Sequence, residues 1–120
     1  MGIGTISPVE KLSVDGNILA KKVRVSVAST DWPDYVFDSS YNLLSLDAVS
    51  SFIKENKHLP EMPSSLTVEK DGHDLGEVQK LLLKKVEELT LYVIELKKMN
   101  GRQQMFIEAQ GKRIELLEKR

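Results

Sequence analysis

The chain has 120 residues, of which 41% are hydrophobic and 29% charged, and its net charge at pH 7 is −1. This length suits one small domain with a helical extension and excludes an ordinary multidomain enzyme. Because the net charge is near zero, the chain lacks the excess of positive charge that binds a polyanion, and we expect no nucleic-acid partner. Because the chain has no cysteine, disulfides, thiolate catalysis and cysteine-type zinc sites are excluded together.

The apolar runs of the sequence are too short for a membrane span. None approaches the roughly 18 residues that a spanning helix needs, and the N-terminus lacks the basic and apolar regions of a secretory signal. We therefore expect no insertion into a membrane. The first residues, Met1 to Thr5, look like the middle of a sequence motif and not its start. This favours the interpretation that the chain is a fragment of a longer one.

Residues 1–28 are predicted to be β-rich. From Lys11 to Val27 apolar and polar side chains alternate around an Asp15-Gly16 turn, and this pattern predicts two or three short strands. Strands this short need a neighbouring surface, which in a trimer the other two chains would supply.

Residues 29–74 are predicted to form a small α+β head, because five of the seven aromatic residues lie within them. Ser45 is a good N-cap, and the apolar spacing that follows predicts a helix over about Leu46 to Asn56. Two prolines then predict a rigid loop, after which Leu66–Val68 is interpreted as a short strand.

Residues 75–120 carry a heptad repeat, which predicts one long helix capped by Asp74. The apolar stripe is too long to be buried against the head, so its natural partner is another copy of the chain. Tyr92, Met99 and Phe106 flank this stripe at position g, and the broader apolar face favours a parallel homotrimer. Gly101 and Gly111 cost roughly 1 kcal/mol each and predict fraying or a bend near Asn100. The predicted trimer interface comprises Leu75, Leu82, Val86, Leu89, Val93, Leu96, Asn100, Gln103, Ile107, Gln110, Ile114 and Leu117.

Residues 2–18 begin with Gly2-Ile3-Gly4-Thr5 and end at Ile18. They are similar to a Gly-Ile-Gly-Thr segment that recurs in tail-fibre proteins of bacteria and phages, many of them from Bacteroidetes. Further segments resemble the C-terminal module that ends them, and through it the endosialidase-type intramolecular chaperone domains. These further segments are Trp32-Pro33-Asp34-Tyr35-Val36-Phe37, Tyr41 with Leu43, Ser45-Leu46, Phe52 to Pro60, Pro63-Ser64 and Leu75-Gly76-Glu77.

This resemblance implies a trimeric fibre tip outside the cell, with residues 1–28 as the end of a β-rich shaft. In such domains the C-terminal part trimerises first and aligns three chains so that the shaft can fold. Many members are then released by self-cleavage at a Ser-Asp pair that a Leu-Lys element follows. The nearest residues here, Ser29-Thr30-Asp31, lack the basic element. Self-cleavage by Ser29 is therefore the less favoured alternative to a domain that stays uncleaved, and we expect no other enzyme activity.

The aromatic residues and the histidines of the head each allow two interpretations. Trp32, together with Tyr35, could stack on a surface glycan or receptor at the fibre tip, whereas a core position for Trp32 at the head–helix junction is the interpretation we favour. The two histidines, His58 and His73, lie beside a proline and a glycine, where a polar loop explains them better than a metal site. We expect no cofactor.

Overall fold

The protein is an elongated, mostly helical chain of 89 × 31 × 29 Å, and the computed structural model describes residues 1–27 and 32–119. A long C-terminal helix and two short strands agree with the predicted organisation. The elements are β1 (Gly2–Ile3), β2 (Ser13–Val14), a 3₁₀ segment (Pro33–Phe37), α1 (Leu46–Asn56), α2 (Ser65–Asp71) and α3 (Leu75–Glu118).

The two strands pair in parallel and close a loop at the start of the chain. Ile3 lies opposite Val14 in the ladder, and the Met1 ammonium donates to the carbonyl of Lys11 at 2.7 Å. Gly4 has a φ of +76°, and a Cβ at this position would lie 2.6 Å from the Asp15 carbonyl oxygen. The second glycine of the Gly-Ile-Gly-Thr motif is therefore required by the closure of this loop.

The strands predicted beyond the Asp15-Gly16 turn are not found in the described residues of the single chain. Residues 17–27 have no regular secondary structure and make no backbone hydrogen bond to another described residue. Ile18, Leu19 and Val23 are exposed, at 70%, 102% and 71%. A strand needs a partner edge, and within the described residues of one chain this segment has none.

The helix predicted over residues 46–56 is confirmed as α1. The Ser45 hydroxyl accepts a hydrogen bond from the Ala48 amide at 3.1 Å, which satisfies one of the amides that a helix start leaves free. The helix ends at Lys57, which takes the left-handed conformation at φ 62°. Local signals alone therefore set both ends of α1.

The short strand predicted over Leu66–Val68 is wrong, because these residues form the middle of α2. The Ser64 hydroxyl accepts from the Thr67 amide at 3.2 Å and caps the helix. A capping serine directly after Pro63 was the available signal for a helix start, and it outweighs the strand preference of one β-branched pair.

Helix α3 begins where the heptad begins and continues without interruption to Glu118. The Asp74 carboxylate accepts from the Glu77 amide at 3.1 Å, as a cap should. No break occurs at Gly101 or Gly111, so the predicted fraying near Asn100 is not found. A glycine weakens a helix by only about 1 kcal/mol, and the backbone hydrogen bonds can continue through it.

The head packs on the first half of α3 and has a very small core. Val36 of the 3₁₀ segment is 1% exposed, and Pro33 beside it is also buried. Among the described residues, Val36 and Tyr92 are the only buried large hydrophobic side chains. The contact between the 3₁₀ segment and α3 therefore provides most of what the single chain has as an interior.

The N-terminal segment crosses the first turn of α3 at Gly76. A Cβ on Gly76 would lie 2.7 Å from Cγ1 of Val25 and 3.3 Å from a carboxylate oxygen of the capping Asp74. Val27 lies a little further away, at 3.7 Å. A glycine is needed here because the segment approaches the helix backbone more closely than a side chain allows.

We predict that Gly76→Ala lowers the melting temperature, although alanine is the better helix former by about 1 kcal/mol. The added methyl group must displace Val25, and overpacking of this kind costs about 1–3 kcal/mol. Gly101→Ala is the matched control, since nothing lies within 4 Å of its added Cβ, and it should raise the melting temperature. Circular dichroism during heating measures both. Equal stabilisation by the two substitutions would contradict the close contact at Gly76.

Candidate oligomerisation surface

The predicted interface positions form a mostly apolar stripe on α3 that the other described residues leave uncovered. Leu82, Leu89 and Val93 are 51%, 60% and 56% exposed. Every residue from 93 to 119 is exposed, so the head leaves the distal half of α3 uncovered. We call the following twelve positions, all exposed, the seam: Leu75, Leu82, Val86, Leu89, Val93, Leu96, Asn100, Gln103, Ile107, Gln110, Ile114 and Leu117.

Of Tyr92, Met99 and Phe106, which flank the seam at position g, two are exposed and one is buried against the head. Met99 and Phe106 are 46% and 65% exposed, as expected for residues that widen the apolar face. Tyr92 is buried instead, and its hydroxyl donates to the Leu44 carbonyl at 2.6 Å. The expectation that Tyr92 widens the seam is therefore wrong at this level of the helix.

The head is fixed to α3 largely by charged groups. The Glu61 carboxylate accepts from Lys84 at 2.5 Å and from Lys85 at 3.3 Å, and Lys85 also reaches Glu88 at 3.1 Å. Glu61 holds a left-handed backbone conformation, with φ 69°, which is uncommon for a residue with a side chain. The two lysines therefore attach a strained turn of the head to the helix.

The ion pair shifts both of its partners toward their charged forms. Burial alone raises the pKa of the Glu61 carboxyl, but hydrogen bonds from Lys84 and Lys85 and their charges outweigh it, so the pKa lies below 4.5. Burial alone lowers the pKa of the Lys84 ammonium, and pairing with Glu61 more than reverses this, so its pKa is raised. The pair therefore favours the docked head at neutral pH.

Glu87 is a further buried ionisable side chain, and its position in the heptad did not predict this burial. The side chain is 8% exposed, and its Oε2 atom has no hydrogen-bond partner among the described residues. Desolvation, with a smaller contribution from Asp34, raises the pKa of this carboxyl. Sequence reasoning places position b of a heptad in water, because it does not include the head that covers this face.

The two aromatic residues predicted as ligand contacts are both partly exposed. Trp32 is 42% exposed, so the single chain does not give it the core position that we favoured. Tyr35 is 43% exposed, its ring centre lies 5.9 Å from that of Tyr41, and the Lys84 ammonium lies 5.5 Å from the centre of the Tyr35 ring. A ligand site at these residues stays a prediction.

The remaining candidate residues form no described site. Ser29 and Asp31 lie outside the described residues. Within the described part of the chain, no cluster of three or more histidine, aspartate or glutamate side chains is arranged to hold a metal ion. His58 has its Nδ1 atom 2.8 Å from the Leu59 carbonyl oxygen. None of the helices in residues 1–27 and 32–119 is both long and apolar enough to cross a membrane.

Comparison of the chain with models of protein families, with curated proteins and with solved structures gives no match.

We predict that Glu61→Gln lowers the melting temperature at pH 7 and has a smaller effect in acid. The folded-state pKa is lowered, so the pair's contribution is present above the unfolded pKa of about 4.5 and is lost as the pH falls through the folded value. The carboxylate is half exposed, so we expect a loss below about 1 kcal/mol. Thermal unfolding between pH 3 and 8 measures it. Glu55 forms no ion pair with another described residue, so Glu55→Gln should show no such pH dependence.

Proposed function

We propose that this chain is the C-terminal trimerisation and intramolecular chaperone module of a tail-fibre-like or adhesin protein that acts outside the cell. The observation that carries the proposal is the uncovered seam. A helix that begins inside a folded head would normally turn its apolar side toward that head. In α3 the leucines and valines of the seam stay exposed, and the head covers other faces.

The position of the head supports an assembly of parallel helices. The 3₁₀ segment and the Glu61 turn contact the helix around Lys80, Leu81 and Lys84, which lie on its outer side in the heptad register. Copies of α3 could therefore pack seam to seam without displacing these contacts. The heads would then surround the bundle at its N-terminal end.

The width of the apolar face favours three chains. Valine at position a with leucine at position d by itself suits two strands as well. Met99 and Phe106, however, lie outside those positions and are exposed. A two-stranded seam leaves side chains at position g largely in water, whereas a trimer buries more of each helix. The additional apolar surface thus favours a homotrimer.

The N-terminal segment supports the chaperone role. Residues 17–27 have alternating apolar side chains and a backbone that makes no hydrogen bond to another described residue, so other chains would supply the edges on which they could pair as strands. Strands exchanged between chains form slowly, because the entropy of bringing distant segments together precedes any contact. A helix that associates first raises the effective concentration of the three segments and fixes their register.

We predict that Leu89→Asp converts the assembly to monomers at micromolar concentration. Three carboxylates would be placed in one buried layer, where each is desolvated and repels the other two. Sedimentation equilibrium measures the mass, which should be three times the chain mass of 13.5 kDa for the native protein and a single chain mass for the variant.

Met105→Asp is the matched control for this substitution. Met105 is also exposed, at 72%, but it lies on the outer side of the helix, so this variant should remain a trimer. A native mass of two chains would show that the assembly is a dimer and would contradict the predicted trimer. A Leu89→Asp variant of native mass would show that the head, not the seam, holds the chains together.

We also predict that the amides of residues 17–27 exchange slowly in the native assembly and rapidly in Leu89→Asp. The substitution lies far along the helix from this segment, so a loss of protection reports the coupling between the seam and the shaft. Hydrogen exchange followed by mass spectrometry measures it, and Met105→Asp should keep the native protection. Rapid exchange of these amides in a native trimer would contradict the chaperone role while leaving trimerisation in place.

A further inference from the structure

An apolar groove of about 360 Å³ lies between the head and the seam. One wall is formed by the head, through Leu44, Leu46, Val49, Leu59 and Pro60. The opposite wall is formed by α3. Its seam residues there are Leu82, Val86 and Leu89. The groove is therefore a lateral extension of the seam onto the surface of the head.

The head side of the groove is apolar but not covered. Leu44, Leu46 and Leu59 are 45%, 46% and 43% exposed, although each is a large hydrophobic residue. Three such side chains on one wall, directly beside an exposed seam, form a continuous apolar surface. Whatever covers the seam lies next to this wall as well.

The charges at the edge of the groove are already neutralised within the chain. Lys85 pairs with Glu88 at 3.1 Å and with Glu61 at 3.3 Å. Among the described residues that line the groove, neither charged side chain is unpaired, so a charged ligand would lose its hydration there without gaining a partner. An uncharged apolar surface is the occupant that this edge suits.

The chain itself carries a matching surface on the other side of the seam. Residues at position g of one helix face position e of the next helix in a parallel coiled coil. At the level of the groove position e is Thr90, and the next one along is Lys97. The Thr90 hydroxyl donates to the Val86 carbonyl of its own helix at 2.8 Å, which leaves its methyl group for packing. Position e is thus uncharged at the height where the groove lies.

We propose that this groove receives α3 of a second copy of the chain, along the edge marked by Thr90. Each head would then contact the α3 helix of the neighbouring chain as well as its own, and this contact would repeat around the bundle. This inference rests on the proposed function, because it needs parallel helices joined at the seam. It adds a specific contact between the head of one chain and the helix of the next.

The natural absence of cysteine makes a direct test available. In the double variant Leu59→Cys with Thr90→Cys, each chain has one thiol in the groove and one on the helix edge. After oxidation with oxidised glutathione, denaturing electrophoresis should show a covalent trimer closed by three disulfides. The control pairs Leu59→Cys with Ile94→Cys, which is 46% exposed and faces away from both the seam and the groove. It should not form the covalent trimer.

Sedimentation of both double variants before oxidation separates failure of this inference from failure of the proposed function. An oligomer of native mass that forms no disulfide between chains, or forms it equally in both variants, would overturn the groove contact and leave the seam intact. A monomer in the native protein would overturn the seam and the groove together. A covalent dimer in place of the trimer would keep the contact between head and neighbour but contradict the number of chains.

Discussion

The burial of apolar surface is the constraint on which the rest of this structure depends, and one chain alone does not satisfy it. Among the described residues only Val36 and Tyr92 are large hydrophobic side chains that the chain buries. A leucine or valine left in water forgoes about 1.5–3 kcal/mol relative to a buried one. The seam repeats part of this loss at most of its positions, so under the proposed assembly the association of copies would stabilise the molecule.

The single chain also inverts the usual distribution of charge and apolar surface. Lys84, Glu87 and Glu88 are buried, whereas Leu82 and Leu89 on the same helix are more than half exposed. Charged groups are rarely buried unless paired, and here pairing with Glu61 accounts for the lysine. Charged contacts help to attach the head to α3, and the hydrophobic positions of the seam stay exposed in the single chain.

Local signals explain which elements could be predicted from the sequence. Ser45 and Asp74 cap their helices through hydrogen bonds only three residues long, so α1 and the start of α3 follow from neighbouring residues. The helix α2 had an equally local cap in Ser64, but its apolar residues resemble those of a strand. The burial of Glu87 and Tyr92 could not be predicted, because it depends on a head that reaches the helix from a distant part of the chain.

The difference between local signals and contacts with distant residues also explains residues 17–27. Their sequence pattern predicts strands, but they form no strands in the single chain. Alternation of apolar and polar residues records the surface that a segment will meet, and it does not require that surface to belong to the same molecule. Gly76 brings Val25 against the first turn of α3, next to the start of the seam. Under the proposed assembly, helices brought into register at the seam would carry three copies of this segment to the same height, where each could supply the partner edge that the others lack.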